Sequence, residues 1–179
     1  MARKEKPVVT FDPKHHELAY HFDYNPGETK ALRQMLRGKR PVSLCDLRRV
    51  ALWKLDRILN IPDDVLDVLN SIVATSPLKV DSPESKKVLS DLVACPGVGF
   101  PMASAFLKFL RPDVFPIIDV RAYRALFGRK LYPNSYSLHL YLEYAARVEE
   151  IAFEKRIPLH EVDEQLWCFD RAHNGEINS

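Results

Sequence analysis

The chain has 179 residues, 46% of them apolar and 28% charged, with a net charge of +2 and three cysteines. This is an ordinary globular composition, long enough to bury a core without disulfides and short for a second full domain. No apolar run approaches membrane-spanning length, and Met1–Lys6 is not followed by a signal-type stretch, so no membrane role is expected and a cytoplasmic (or nuclear or nucleoid-associated) monomer is the default.

Residues 1–27 read as an extended lead-in, running from Pro7-Val8-Val9-Thr10-Phe11 to a Pro26-Gly27 turn, and residues 28–179 read as one helical domain. Glu28–Arg37 predicts a short helix closed by Gly38. Ser43-Leu44-Cys45-Asp46 has capping-box spacing, and Leu44, Leu47, Ala51, Leu55 and Ile58 make one apolar stripe along the helix that follows. Pro62-Asp63-Asp64 opens the next helix, with Val65, Leu66, Leu69, Ile72 and Val73 inward, and Asp81-Ser82-Pro83-Glu84 opens another. Beyond Gly128, helices are predicted over Tyr136–Glu154 and Leu159–Ala172, the second ended by Asn174-Gly175. No run alternates with strand period and there is no internal repeat, so the fold class is all-α.

The most informative stretch lies between these elements. Val88, Leu89, Leu92 and Val93 share one helical face, which Pro96-Gly97-Val98-Gly99 then interrupts. Proline cannot continue a helix, and glycine takes the positive φ of a tight reversal. Pro101 suits the first turn of a second helix, whose apolar side is Met102, Phe106, Leu107 and Leu110. A glycine turn opening into a helix N-terminus points several backbone N–H groups outward, backed by the positive end of the helix dipole. That is an anion site, and phosphate is its commonest occupant. Arg111-Pro112-Asp113-Val114-Phe115-Pro116 then forms an extended loop, and after Ile117-Ile118 an aspartate, Asp119, stands where a third helix begins.

In order, Cys95-Pro96-Gly97-Val98-Gly99, Ala103-Ser104-Ala105, Pro116 and Ile118-Asp119 resemble the signature of the helix-hairpin-helix superfamily of DNA glycosylases, with Asp119 twenty residues on from Gly99. The hairpin covers about 86–110 and the loop with its aspartate 111–119. The resemblance implies a helical glycosylase-like domain that binds lesion-containing duplex DNA. Pro96, Gly97, Val98, Gly99, Phe100 and Pro101 would contact DNA, and a sodium or potassium ion could sit on hairpin carbonyls near Cys95 and Gly97. It also implies that a damaged base is flipped out of the stack. Cleavage of its N-glycosidic bond gives the sugar oxocarbenium character, and Asp119 would be the catalytic carboxylate that stabilises this charge and directs water. Aspartate also caps helices well, and the two roles are compatible.

Two departures from the family pattern narrow the expectation. Relatives that also cut the strand carry a Schiff-base lysine two residues after the last hairpin glycine, where this chain has Pro101. Lys108 is seven residues further on, about 10 Å along a helix. The expected activity is therefore monofunctional hydrolysis without lyase activity. Cys45, Cys95 and Cys168 are each separated by fifty residues or more and have no CxxC spacing, so no iron–sulfur cluster is expected and no cofactor is required. They suit a reducing compartment and small buried apolar roles. The alternative function is a non-catalytic helix-hairpin-helix module, either a DNA-binding adaptor or a protein-interaction scaffold.

Other residues have two readings each. Arg121, in the first turn of the Asp119 helix, opposes the helix dipole and would reach a phosphate or the carboxylate. Arg33, Arg37, Lys39, Arg40, Arg48 and Arg49 form either a solvated helical face or a backbone-contacting patch. Trp53 is a core residue needing an indole partner, or a stacking wall for a flipped base. Phe100 is a core plug or part of the pocket mouth. His16 and His21 are five residues apart, whereas a zincin helix needs four, so no metal site is expected there.

Overall fold

The computed structural model describes residues 13–15, 19, 24–38, 41–56 and 58–177. The lysine and arginine at 39 and 40, the histidines at 16 and 21 and most of the lead-in lie outside them. The described residues are helical with no strand, and the chain divides into two compact units, Met1–Ile58 and Leu59–Ser179.

The first unit pairs α1 (Pro26–Leu36) with α2 (Leu44–Lys54). Pro26 and Gly27, predicted as a turn, form the first turn of α1, where the missing proline N–H costs nothing. The predicted capping box at Ser43 forms in full: Ser43 Oγ accepts the Asp46 N–H, and the Asp46 carboxylate accepts the Ser43 N–H. The apolar stripe of α2 does not become its buried side. Leu44, Leu47 and Leu55 are 61%, 57% and 67% exposed. α2 meets α1 instead through Trp53, whose indole N–H donates to Thr29 Oγ1 at 2.9 Å while Tyr24 packs edge-on against the ring. Buried Asp46 and half-buried Val50 and Trp53 recur at helical spacing, so α2 carries two competing faces, and the one with its polar groups satisfied is turned in.

The second unit contains α3 (Asp63–Ala74), α4 (Pro83–Ala94), α5 (Phe100–Leu110), α6 (Val120–Phe127), α7 (Leu138–Lys155) and α8 (Leu159–Asn174), with a 3-10 turn at Pro133–Ser135. Val88, Leu89 and Leu92 on α4 are fully buried, because α4 is packed by α3, α5 and α7 at once. Full burial of each such side chain contributes roughly 1.5–3 kcal/mol. Val65, Leu69 and Ile72 of α3 are buried as expected; Leu66 and Val73 are 43% and 49% exposed, one residue off that face. Arg111 closes the far end of α3, donating to the Ile72 and Thr75 carbonyls at 3.0 and 2.6 Å, which satisfies acceptors that a helix end leaves unpaired.

The most extensive helix pair is α6 with α8. Its centre is Asp170, fully buried, which accepts hydrogen bonds from Arg124 Nε and Nη2 at 2.7 Å each and from Asn174 Nδ2 at 2.9 Å. These partners hold its carboxyl below the usual aspartate range, the Arg124 hydrogen bond foremost. Of the three thiols only Cys95 is buried; Cys45 and Cys168 are exposed, against the expectation for small apolar side chains, and all three are free.

Candidate functional site

The hairpin turn is a hydrogen-bonded reversal. The Val98 N–H donates to the Cys95 carbonyl at 3.1 Å, Pro96 supplies the second position and Gly97 takes φ +80 at the third, the arrangement of a type II turn. Pro96, Gly97 and Gly99 are exposed, whereas Val98 is turned inward at 4% exposure. Val98 can therefore offer a ligand only its backbone. Gly99 is the N-cap of α5 and no side chain caps that helix; Pro101 carries no N–H, which leaves the Phe100 and Met102 amides without a side-chain cap.

Phe100 is a core residue that also reaches the surface. It is 8% exposed and stacks on Tyr141 with ring centroids 6.3 Å apart, and it also lines a surface cleft. The cleft, about 470 Å³, is walled by Gly99, Phe100 and Pro101 from the hairpin and by Val120, Leu131 and Tyr136 opposite. It is apolar apart from the Tyr136 phenol and the backbone of the turn.

Asp119, the N-cap of α6, does not itself line the cleft but directly precedes Val120, which does. Asp119 Oδ1 accepts the Ala122 N–H at 2.7 Å. The side chain is half-buried, and burial is the main reason its carboxyl is pushed above the ordinary aspartate value. Hydrogen bonds from the Ala122 and Arg121 amides pull the other way, and the negative charges of Asp163 and Asp170 add to the rise. Among the described residues no lysine or arginine pairs with it. Tyr136 is raised by burial first and then by the charge of Asp119, which puts phenol and carboxylate in one electrostatic neighbourhood. The result is a carboxylate with a suppressed tendency to ionise, next to an apolar cleft and an uncapped helix N-terminus. Such an arrangement can stabilise a developing cation and accept a proton from water.

Comparison with known proteins gives no match: no protein-family model, no curated protein and no solved structure is similar to this chain at a significant level.

Two residues singled out in the sequence have partners of their own. Arg121 turns away from Asp119 to α8, where Nη1 donates to Asp170 at 3.3 Å and to the Gly175 carbonyl at 3.0 Å, and its guanidinium lies over the Trp167 ring at 5.6 Å. Asp170 is thus the reason an arginine tolerates the first turn of α6. Trp53 belongs to the first unit, beside an apolar hollow lined also by Thr29, Leu32 and Val50. Of the basic cluster, Arg49 is paired with Glu28, while Arg33, Arg37 and Arg48 are exposed.

Nothing in the sequence assigns a site role to Tyr136, or marks any of Ser104, Lys108, Tyr141, Tyr144 and Asp163 as support for the loop before Asp119. One signal was present. Lys108 lies on the same face of α5 as Phe100, Ala103, Ser104 and Leu107, all buried, and a lysine on a buried face requires a buried partner.

Proposed function

We propose that this protein is a DNA-repair-type enzyme of helix-hairpin-helix glycosylase character that hydrolyses the N-glycosidic bond of a damaged or mismatched base. The observation that carries the reading is the grouping, within one unit, of an uncapped α5 N-terminus behind a proline–glycine turn, an adjoining apolar cleft and the half-buried carboxylate of Asp119. The turn and the first amides of α5 grip one DNA phosphate. The Cys95 carbonyl keeps a lone pair after accepting the Val98 N–H, so the donor set suits a sodium or potassium ion held with the Gly97 carbonyl. Such an ion would add positive charge at the phosphate.

The flipped base enters the apolar cleft, where Phe100 and Tyr136 offer aromatic faces. The C1′–N bond breaks with its electron pair leaving on the base, and the sugar becomes cationic. Asp119 stabilises that charge and takes the proton of the water whose oxygen attacks C1′; the departing base is protonated from solvent. Lys108 is committed to two carboxylates and Pro101 has no amine, in keeping with hydrolysis rather than lyase chemistry.

A non-catalytic helix-hairpin-helix module is the second reading, favoured by the N-cap hydrogen bond of Asp119, which suffices to account for an aspartate at that position. The two are separated by incubating the protein with duplex and single-stranded oligonucleotides that carry alkylated, oxidised, deaminated and mismatched bases, and revealing abasic sites with hot alkali. Release from any member of the panel supports the enzyme. A silent panel with duplex binding retained returns the non-catalytic module.

A further inference from the structure

The extended segment between α5 and α6 contains peptide groups that no helix satisfies, and buried peptide groups must find partners. Two consecutive ones, Pro116–Ile117 and Ile117–Ile118, have both their C=O and their N–H caught by side chains from three helices. Tyr141 and Tyr144 of α7 donate their hydroxyls to the Pro116 and Ile117 carbonyls at 3.0 and 2.8 Å. The Ile117 N–H donates to Asp163 Oδ2 on α8 at 2.9 Å, and the Ile118 N–H to Ser104 Oγ on α5 at 3.2 Å. Asp119 is the next residue along.

Asp163 is the charged member of this set and is 4% exposed. Its two oxygens receive the Lys108 ammonium at 2.8 and 2.9 Å, and Lys108 is itself 4% exposed with Glu164 as a further partner at 2.8 Å. Removing two charges from water costs several kcal/mol per ion, and well-packed apolar residues often serve stability as well or better. What an apolar residue cannot do is accept the Ile117 N–H. The lysine holds that acceptor in place, and the acceptor fixes a peptide two residues before Asp119.

We infer that Asp163, held by Lys108, is a positioning residue: it locks the Pro116–Ile118 segment and so sets where the Asp119 carboxylate stands relative to the cleft. This rests on the reading of Asp119 as the reacting carboxylate. Loss of the lock displaces Asp119 without touching the hairpin that grips phosphate. The effect therefore falls on the rate of base release and not on DNA affinity, and a displacement of about 1 Å costs on the order of a hundredfold.

The test uses the full chain and the variant Asp163→Ala, which removes the oxygen that accepts both the Lys108 ammonium and the Ile117 N–H. Three quantities are compared with wild type: amide exchange at Ile117, affinity for a duplex carrying a tetrahydrofuran abasic analogue, and the single-turnover rate on the lesion duplex that the wild type processes. The inference expects Ile117 exchange faster by about tenfold or more, affinity within about twofold, and a rate lower by about tenfold to a hundredfold. A rate within about twofold of wild type overturns it. So does a rate loss matched by equal losses of affinity and helix content, which marks a merely structural residue. If Asp163→Ala does not fold, Lys108→Met/Asp163→Leu removes both charges and the acceptor together, and the same three readings apply. If the wild type releases no base, the glycosylase reading fails, and Ile117 exchange alone decides: unchanged exchange overturns the lock, accelerated exchange supports it.

Discussion

Asp119 ties stability to the proposed chemistry at the scale of one residue. A carboxyl pushed upward by burial and by the charges of Asp163 and Asp170 binds its proton more tightly in the folded chain than in the unfolded one. Ionised Asp119 is therefore a cost to the fold, absent at low pH and acquired as the pH rises past the ordinary aspartate value of about 4. Asp119→Asn keeps a side-chain oxygen for the Ala122 N–H and removes the charge. It is expected to raise the melting temperature at pH 7, with the gain vanishing in acid, where Asp119 is protonated in both states; a lower melting temperature at pH 7 contradicts the environment described. The two turn glycines make a complementary pair. Gly97 holds φ +80 with open space where a Cβ would stand, so Gly97→Ala is expected to cost about 1 kcal/mol from backbone strain alone, read by urea unfolding. Gly99 has an ordinary φ, and its added Cβ would meet only Pro101 Cδ, at 3.7 Å. Gly99→Ala should leave stability within about 0.5 kcal/mol. If a phosphate approaches these amides, the same change weakens duplex binding, and unchanged affinity argues against the hairpin as the phosphate grip.

Among the elements, the pairing of α6 with α8 anchors the helix that Asp119 caps. Asp170→Ala leaves Arg121 and Arg124 without their buried partner. The expected loss is about 3 kcal/mol of unfolding free energy, at the low end for a broken buried pair because the two arginines retain 14% and 18% exposure. The carboxyl of Asp170 is held low, so its contribution is present at neutral pH and disappears as the pH falls through its folded value. The same elements show what a sequence can disclose. The hairpin was legible almost residue by residue, since proline and glycine act on their immediate neighbours: α4 ends at Ala94, α5 starts at Phe100 and Asp119 caps α6. The support around the loop was not legible, because Asp163 and Tyr144 lie 46 and 27 residues from Ile117 in the chain. α2 misled for a different reason. Its leucine stripe has the stronger apolar spacing, but the helix turns in the side whose Asp46 and Trp53 find hydrogen-bond partners. Arg121, a cation set against the helix dipole, has a buried partner in Asp170, 49 residues away in the chain.

For the molecule as a whole, the site is contained in Leu59–Ser179, and everything proposed for the hairpin, the cleft and Asp119 draws on that unit alone. A net charge of +2 leaves little long-range attraction to DNA. The proposed duplex binding would then rest mainly on backbone amides and a few cations, and the slope of log affinity against log salt is expected to be about −2 to −4; a slope of about −8 or steeper would require a broad basic face instead. The central claim is that Asp119, presented beside the hairpin, is the group that makes base release possible. It is tested most directly by single-turnover base release from the lesion duplex the wild type prefers, with wild type and Asp119→Asn side by side and tetrahydrofuran-duplex affinity measured for both. The account expects release to be abolished in the variant, or slowed by at least about a thousandfold, with affinity within a few-fold. Equal release by the two proteins would contradict it.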